Sequence, residues 1–347
     1  MIRPWRAIGS VRRRPPRPTR VWAALGALSA LLLTGCVGGD DEVVRVYSAR
    51  HYDLEDAFIK FNEETGIKVE FLFGSDSELR ERIAAEGEDT QADVYMTVDA
   101  GNLASAAEQG VFAPLESSVL DEAVPEGLRD PRDRWFGLAE RARTIVYSPE
   151  RVDTAQLSTY EALADPRWQG RLCLRQSSAT YTQSLVASMI AERGEEGTEE
   201  VVQGWADNAE IFSNDVEIID NIASGSCDVG IVNHYYLARE LDEDPDLPVE
   251  LFWANQDTTG THVNISGAGV TAEADDPELA QRLLEWLATD GQSEFVADND
   301  EYPVNDDVEP VPVIADFGDF TAQDIDAVAY AELNEAAIEL MARAGYE

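Results

Sequence analysis

The chain is 347 residues long and carries 68 Asp and Glu against 26 Lys and Arg, a formal net charge of −42. So acidic a surface repels nucleic acid and anionic membranes, and it argues against a broadly anionic substrate unless a local basic pocket overrides it. The length exceeds that of a usual single core, so two lobes are expected.

The N-terminus reads as an export signal. Arg3, Arg6, Arg12, Arg13, Arg14, Arg17 and Arg20 form a basic region, and residues 21–33 form an apolar core too short to span a bilayer. It ends in Leu33-Thr34-Gly35-Cys36, which resembles a bacterial lipoprotein signal. That resemblance implies removal of residues 1–35, lipidation of Cys36, and a tether over residues 36–42 holding the protein at the cell envelope, in the periplasm or on the outer face of the cytoplasmic membrane. The leader holds seven arginines and no acid, so the remainder carries 19 basic and 68 acidic groups. This acidity reads as solvation in a salty habitat rather than as a functional site.

Residues 43–47 read as a buried strand, followed by the polar corner Ser48-Ala49-Arg50-His51-Tyr52-Asp53. Leu54, Phe58 and Phe61 then recur at helical spacing, with Gly66 as a stop. A strand over 68–73, a helix over 76–86 and a strand over 93–98 follow, and Asp99 is placed to cap the next helix. Strand and helix alternate, the pattern of a parallel sheet covered on both faces. Residues 135–147 read as extended, a first crossing between lobes.

Beyond the crossing lies a second α/β unit. It has a strand at 172–174, a corner at 176–181, helices near 182–192, 198–208 and 216–223, and a strand at 229–232 that ends in Asn233-His234-Tyr235-Tyr236. A strand at 249–252 and a second crossing at 261–270 follow. Asp276-Pro277 starts a helix, and the tail over 322–346 is mostly amphipathic helix. The predicted architecture is α/β, a two-lobed binding protein of type II-like organisation with parallel or mixed sheets, flanking helices and a two-strand hinge. Its first lobe takes residues 43–142 and 266–347, C-terminal helices included. Its second takes residues 143–265.

Two cysteines remain besides Cys36. Cys173 and Cys227 lie in or just before strands of one region, and in an exported protein they suggest one disulfide; two separate buried thiols are the alternative.

Three strand-to-helix corners carry tyrosine: His51-Tyr52 in the first lobe, Tyr181 and Tyr235-Tyr236 in the second. Corners of this kind open onto ligand crevices. Phenolate is a hard anionic oxygen donor, suited to Fe³⁺. Ionising a phenol at pH 7 costs roughly 4 kcal/mol, a cost a trivalent ion offsets more readily than zinc or calcium. Four phenolates on Fe³⁺ leave one negative charge, so a nearby cation helps; Arg50, Arg141 and Arg143 are the candidates. His234 reads as a hydrogen-bonder at its corner and His262 as support for a Gly-rich crossing. Tyr47, Tyr95 and Tyr147 read as strand core or cleft lining, and Ser177, Ser178 and Thr180 as caps. No carboxylate pair stands out as general acid and base, and no Gly-x-x-x-x-Gly-Lys-Ser/Thr phosphate loop marks an ATPase.

The chain resembles the periplasmic ferric-iron-binding proteins of bacterial ABC importers, the bacterial transferrins. The resemblance runs over nearly all of the chain beyond the leader, through Val46-Tyr-Ser-Ala-Arg-His-Tyr52, Ala92-Asp-Val-Tyr-Met-Thr-Val-Asp-Ala-Gly101, Arg141-Ala-Arg-Thr-Ile-Val-Tyr147, Ser177-Ser-Ala-Thr-Tyr-Thr-Gln-Ser-Leu185, Asn233-His-Tyr-Tyr236, Gly260-Thr-His-Val-Asn-Ile-Ser-Gly-Ala-Gly269 and Glu301-Tyr-Pro-Val304. It implies a non-catalytic, monomeric lipoprotein that takes Fe³⁺ into an interlobe cleft and passes it to an ABC permease with a separate ATPase. The family's paired tyrosines fall on Tyr235 and Tyr236, its lone second-lobe tyrosine on Tyr181, and its first-lobe His-Tyr on His51 and Tyr52. Some members hold a synergistic carbonate through an arginine, here Arg141 or Arg143. The rival readings keep the fold with another cargo, an oxyanion or polyamine, or make the chain an exported non-haem iron enzyme or a purely structural lipoprotein.

Overall fold

One strand belongs to two sheets. In the computed structural model, which describes residues 6–7, 42–50, 55–324 and 326–347, Phe136–Tyr147 pairs with Val263–Val270 through its first half and with Val229–Asn233 through its second, the exchange falling between Ala142 and Arg143. The leader's other residues, Cys36, the tether to residue 41, and the His51-Tyr52 corner lie outside the described residues.

In chain order the first sheet region holds β1 (Arg6–Ala7), β2 (Val43–Ser48), α1 (Glu55–Thr65), β3 (Lys68–Phe73), α2 (Asp76–Glu86), β4 (Val94–Thr97), α3 (Ala100–Glu108) and α4 (Ser118–Ala123), and it leads into β5 (Phe136–Tyr147). The second holds β6 (Leu172–Arg175), α5 (Thr180–Asn208), β7 (Ala209–Phe212), α6 (Asp215–Ser224), β8 (Val229–Asn233), α7 (His234–Glu243) and β9 (Glu250–Phe252). The chain returns along β10 (Val263–Val270) to α8 (Pro277–Ala288), α9 (Gln292–Ala297), α10 (Pro312–Ala315) and α11 (Ala327–Arg343). Among the described residues the strand order is β1-β3-β2-β4-β10-β5-β8-β6-β7, with β9 beside β5. Pairing is parallel for β2 with β3 and β4 and for β6 with β7 and β8; β10 runs antiparallel to β4 and β5, and β5 to β8. The fold is thus α/β with a mixed sheet and flanking helices.

Alternation along the strands sorts side chains onto the two faces of each sheet. Val44 and Val46 of β2 point to a core with Phe58, Phe61, Phe136, Leu138, Leu283 and Leu287, while Tyr47, the next residue along the strand, points to the opposite face with Leu79, Tyr95, Leu103 and Trp135. The second region repeats the arrangement. Ile145 joins Leu172, Leu185, Trp168 and Trp205, and its neighbour Val146 joins Cys173, Ile218, Ile222 and Leu237. β5 therefore feeds three apolar clusters, one from its first half and two from its second. Gly267 lies where β10 is bulged against β5; a Cβ there would meet the Phe136 carbonyl oxygen at 2.6 Å. Only glycine permits that approach.

Local signals from the sequence are present. α1 ends at Thr65 before Gly66 at φ 78°, Asp99 accepts from the Asn102 N–H at 2.9 Å, and Asp276 caps α8 with Pro277 in its first turn. Cys173 and Cys227 form a disulfide with Cα atoms 6.0 Å apart, since β6 and β8 are parallel neighbours. The two helices expected over 182–208 are present and meet at Gly194, whose φ of 79° and ψ of 164° break the run between them. Two details differ. Ser177, Ser178 and Thr180 do not cap the first of these helices: the N-cap is Ala179, with no side-chain bond. The C-terminal helix is not confined to the first core. Ala337, Leu340 and Met341 pack with Leu185 and Trp205 of the second, whereas Tyr330, earlier in the same helix, packs with the first. An amphipathic stripe shows that a helix buries one face but not against which core, and a helix of 17 residues is long enough to reach both.

Candidate functional site

β6 and β8 run parallel, so the corners that follow them open at the same end of the second sheet. Tyr181 sits in the first turn of α5, and Tyr235 and Tyr236 in the first turn of α7. The rings of Tyr235 and Tyr236 lie 4.5 Å apart. Tyr181 is 8 % exposed and Tyr235 2 %, whereas Tyr236 is half-buried.

Three guanidinium groups stand against these rings. Arg141 lies 4.9 Å and Arg175 5.3 Å from the Tyr181 centroid, and Arg239 lies 5.0 Å from Tyr235 and 5.9 Å from Tyr236. Arg141 is buried, which by itself disfavours its charge, but Tyr181, Tyr235, Glu301 and Asp99 outweigh that and raise its pKa. Arg175 behaves likewise: burial opposes the charge, while Asp215 and then Tyr236 raise the pKa. Positive charge is therefore fixed beside the three tyrosine rings.

The arginines proposed from sequence part company here. Arg141 donates from Nη2 to the Val98 carbonyl, and its buried Nη1 has no partner among the described residues. That group borders a small cavity lined by Arg143, Tyr181, Ser184, Asn233, His262 and Asn264. Arg143 is instead ion-paired, Nη1 to Asp215 at 2.8 Å. Arg50 is fully buried against Glu301 and over the Phe295 ring at 4.3 Å, so its charge is taken up by Glu301. Arg175 and Arg239 were not singled out in the sequence. Their signal, had it been used, was position: one ends the strand before the Tyr181 corner, the other lies one turn after Tyr236.

The histidines behave as supports. His234 is fully buried, which pulls its pKa down to about 3; its Nδ1 accepts from the Ala142 N–H at 3.1 Å and its ring lies 4.8 Å from Tyr302. His262 is also held neutral by burial, with a pKa near about 3, and its backbone N–H donates to the Tyr160 hydroxyl at 3.0 Å. Tyr47 and Tyr95 are core, bonded to Glu86 at 2.9 Å and to the Asp76 carbonyl at 3.1 Å. Tyr147 is buried in the second core and donates to Glu250 at 2.6 Å.

Asp99 does more than cap. Its Oδ2 accepts from Ser184 Oγ at 2.8 Å and Asn264 Nδ2 at 2.7 Å, tying α3 to α5 and to β10. Among the described residues no group of three or more His, Cys, Asp or Glu side chains comes together to hold a metal ion. The donors gathered at this corner are phenols, flanked by cations.

A mixed α/β sheet with tyrosine corners opening beside a strand shared by two cores defines a bacterial extracellular solute-binding protein. The sequence profile of that family matches residues 42–294, and the chain belongs to it, within the non-catalytic ferric-iron-binding group of periplasmic proteins linked to ABC-type iron uptake. It is 41 % identical to Iron uptake protein A1 of Synechocystis over 89 % of both chains, and 38 % identical to Iron uptake protein A2 of the same organism over 93 % of this chain and 96 % of that one. Among solved structures, it is similar to Trichodesmium FutA (IdiA), described in complex with iron and citrate, with a TM-score of 0.82 and 41 % identity over 88 % of this chain and all of that one. Synechocystis apo FutA2 gives a TM-score of 0.81 at 39 % identity over the same shares. Family and fold make this an exported periplasmic solute-binding protein.

Proposed function

We propose that this protein captures ferric iron through the phenolates of Tyr181, Tyr235 and Tyr236 and of Tyr52 from the facing lobe, with His51 beside it, and delivers the ion to an ABC permease driven by a separate ATPase. The observation that carries the reading is the set of three guanidinium groups within 6 Å of three clustered tyrosine rings. The guanidinium groups offset the single negative charge that four phenolates leave on Fe³⁺.

The first lobe comprises residues 43–142 and the return from 266, and the second residues 143–265, with β5 and β10 as the hinge. In the open form the ion meets the paired tyrosines, and closure brings the first-lobe corner onto it. Arg141 lines the cavity and its Nη1 has no partner among the described residues, which suits it to a small oxyanion such as carbonate or citrate bound with the metal. Cys36 carries the lipid that keeps the protein at the membrane. The relatives' names support the cargo: the Serratia marcescens protein is an "Fe(3+)-binding periplasmic protein", and the Trichodesmium structure holds iron and citrate.

Titration with ferric citrate tests the reading. A visible phenolate-to-iron charge-transfer band saturating at one ion per chain supports it. A colourless endpoint, with citrate or phosphate binding alone, favours an oxyanion cargo on the same fold.

A further inference from the structure

Asp215 opens α6, is fully buried, and accepts from two arginines at once: Arg143 at 2.8 Å through Oδ1 and Arg175 through Oδ2. Each arginine leads to a different tyrosine. Arg143 Nη1 donates to Asn233 Oδ1 at 3.1 Å, and Asn233 Nδ2 donates to the Tyr235 hydroxyl at 3.0 Å. Arg175 interacts with the Tyr236 phenol as a hydrogen-bond partner and lies over the Tyr181 ring at 5.3 Å. The path Tyr235–Asn233–Arg143–Asp215–Arg175–Tyr236 thus joins the two adjacent phenols through one buried carboxylate, with Tyr181 braced by the same Arg175.

We propose that Asp215 is a positioning residue for the metal site: by fixing Arg143 and Arg175 it sets the spacing of Tyr181, Tyr235 and Tyr236, and so how many phenolates a bound ferric ion receives. The inference rests on the ferric reading above. A buried ion triad is a poor source of stability compared with apolar packing, and its best-attested use is to fix geometry. Here the trio has one net positive charge, opposite in sign to the excess on a tetraphenolate ferric centre. A role confined to starting α6 needs only the cap that Asn214 already supplies. It does not require either arginine to reach a tyrosine.

The test uses the full chain and ferric citrate, comparing wild type with Asp215→Asn, Arg175→Gln and the double variant, each checked for folding by circular dichroism. Asp215→Asn is expected to weaken iron retention against citrate by at least ~10-fold and to move the charge-transfer band to longer wavelength, because fewer phenolates share the ion. Arg175→Gln shifts the band in the same direction, and the double variant matches Asp215→Asn, since both act along one path. A purely structural role would lower the melting temperature and leave the band of the loaded protein in place. Asp215→Asn with wild-type band and retention overturns the inference and leaves the ferric reading standing. A wild-type chain without a band removes both. Should Asp215→Asn fail to fold, Arg175→Gln, whose side chain is 17 % exposed at the rim, decides: an unmoved band overturns the proposal.

Discussion

Ser184 Oγ, on a helix of the second core, donates a 2.8 Å hydrogen bond to Asp99 Oδ2, at the start of a helix of the first. On the hinged two-lobe reading proposed above, the contact exists only in the closed form. Hydrogen bonds to a charged acceptor contribute about 1.5–3 kcal/mol, and Asp99 keeps Asn264 when Ser184 is lost. Ser184→Ala should therefore speed iron release to citrate by about 10-fold while leaving the spectrum of the loaded protein unchanged. An unchanged release rate would mean that the contact does not favour closure.

Glu140 lies on β5, with its backbone paired to that of Tyr302. Burial, then the charge of Asp306, push its carboxyl up to about 7. The folded protein therefore holds this proton more tightly than the unfolded chain does. Stability falls as pH rises from the unfolded value through about 7, by at most about 3 kcal/mol. Glu140→Gln should raise the melting temperature at pH 8 and change it little at pH 4. A variant with lower stability at pH 8 would show that the carboxylate is paired rather than merely buried.

The fold was legible in the sequence where local rules decide it. Alternating strands and helices, the stop at Gly66, the Asp276-Pro277 start and the strand-to-helix corners at Tyr181 and Tyr235-Tyr236 all rest on residues within one turn of each other. What escaped depends on distant partners. Arg141 and Arg143 are two residues apart on one strand and look equivalent; Asp215, 72 residues on, occupies Arg143, while Arg141 Nη1 has no partner among the described residues. The partner of Arg50, Glu301, lies 251 residues away and has no local signal. Arg175 and Arg239 carry no motif beyond their nearness in sequence to the tyrosine corners, and the folded chain sets them over the phenol rings. The C-terminal helix was assigned to one core because its stripe does not identify the surface it covers.

The surface charge predicts a salt dependence. With 68 acidic and 26 basic groups, like-charge repulsion opposes the folded state at low ionic strength. The Debye length falls from about 30 Å at 0.01 M to about 3 Å at 1 M salt. The melting temperature should climb steadily across that range in sodium chloride. A flat or falling curve would show that local pairing already neutralises the surface.

The Cys173–Cys227 bond closes a loop with a sequence separation of 54 and joins β6 to the run-in of β8. Replacing both with Ser should cost about 2–4 kcal/mol on denaturant unfolding. Both cysteines are buried, so reductant should act slowly on the native wild type. Rapid loss of stability in mild reductant would mean that the second sheet opens locally.

The central claim is that adjacent phenols at the start of α7 take the metal. Ferric titration of the wild type, Tyr235→Phe and Tyr236→Phe tests it most directly, with absorbance as the readout. The account predicts a saturable visible band in the wild type and, for each variant, a weaker band at longer wavelength with retention against citrate reduced by more than ~100-fold. Variants that bind with the wild-type band and retention would contradict it.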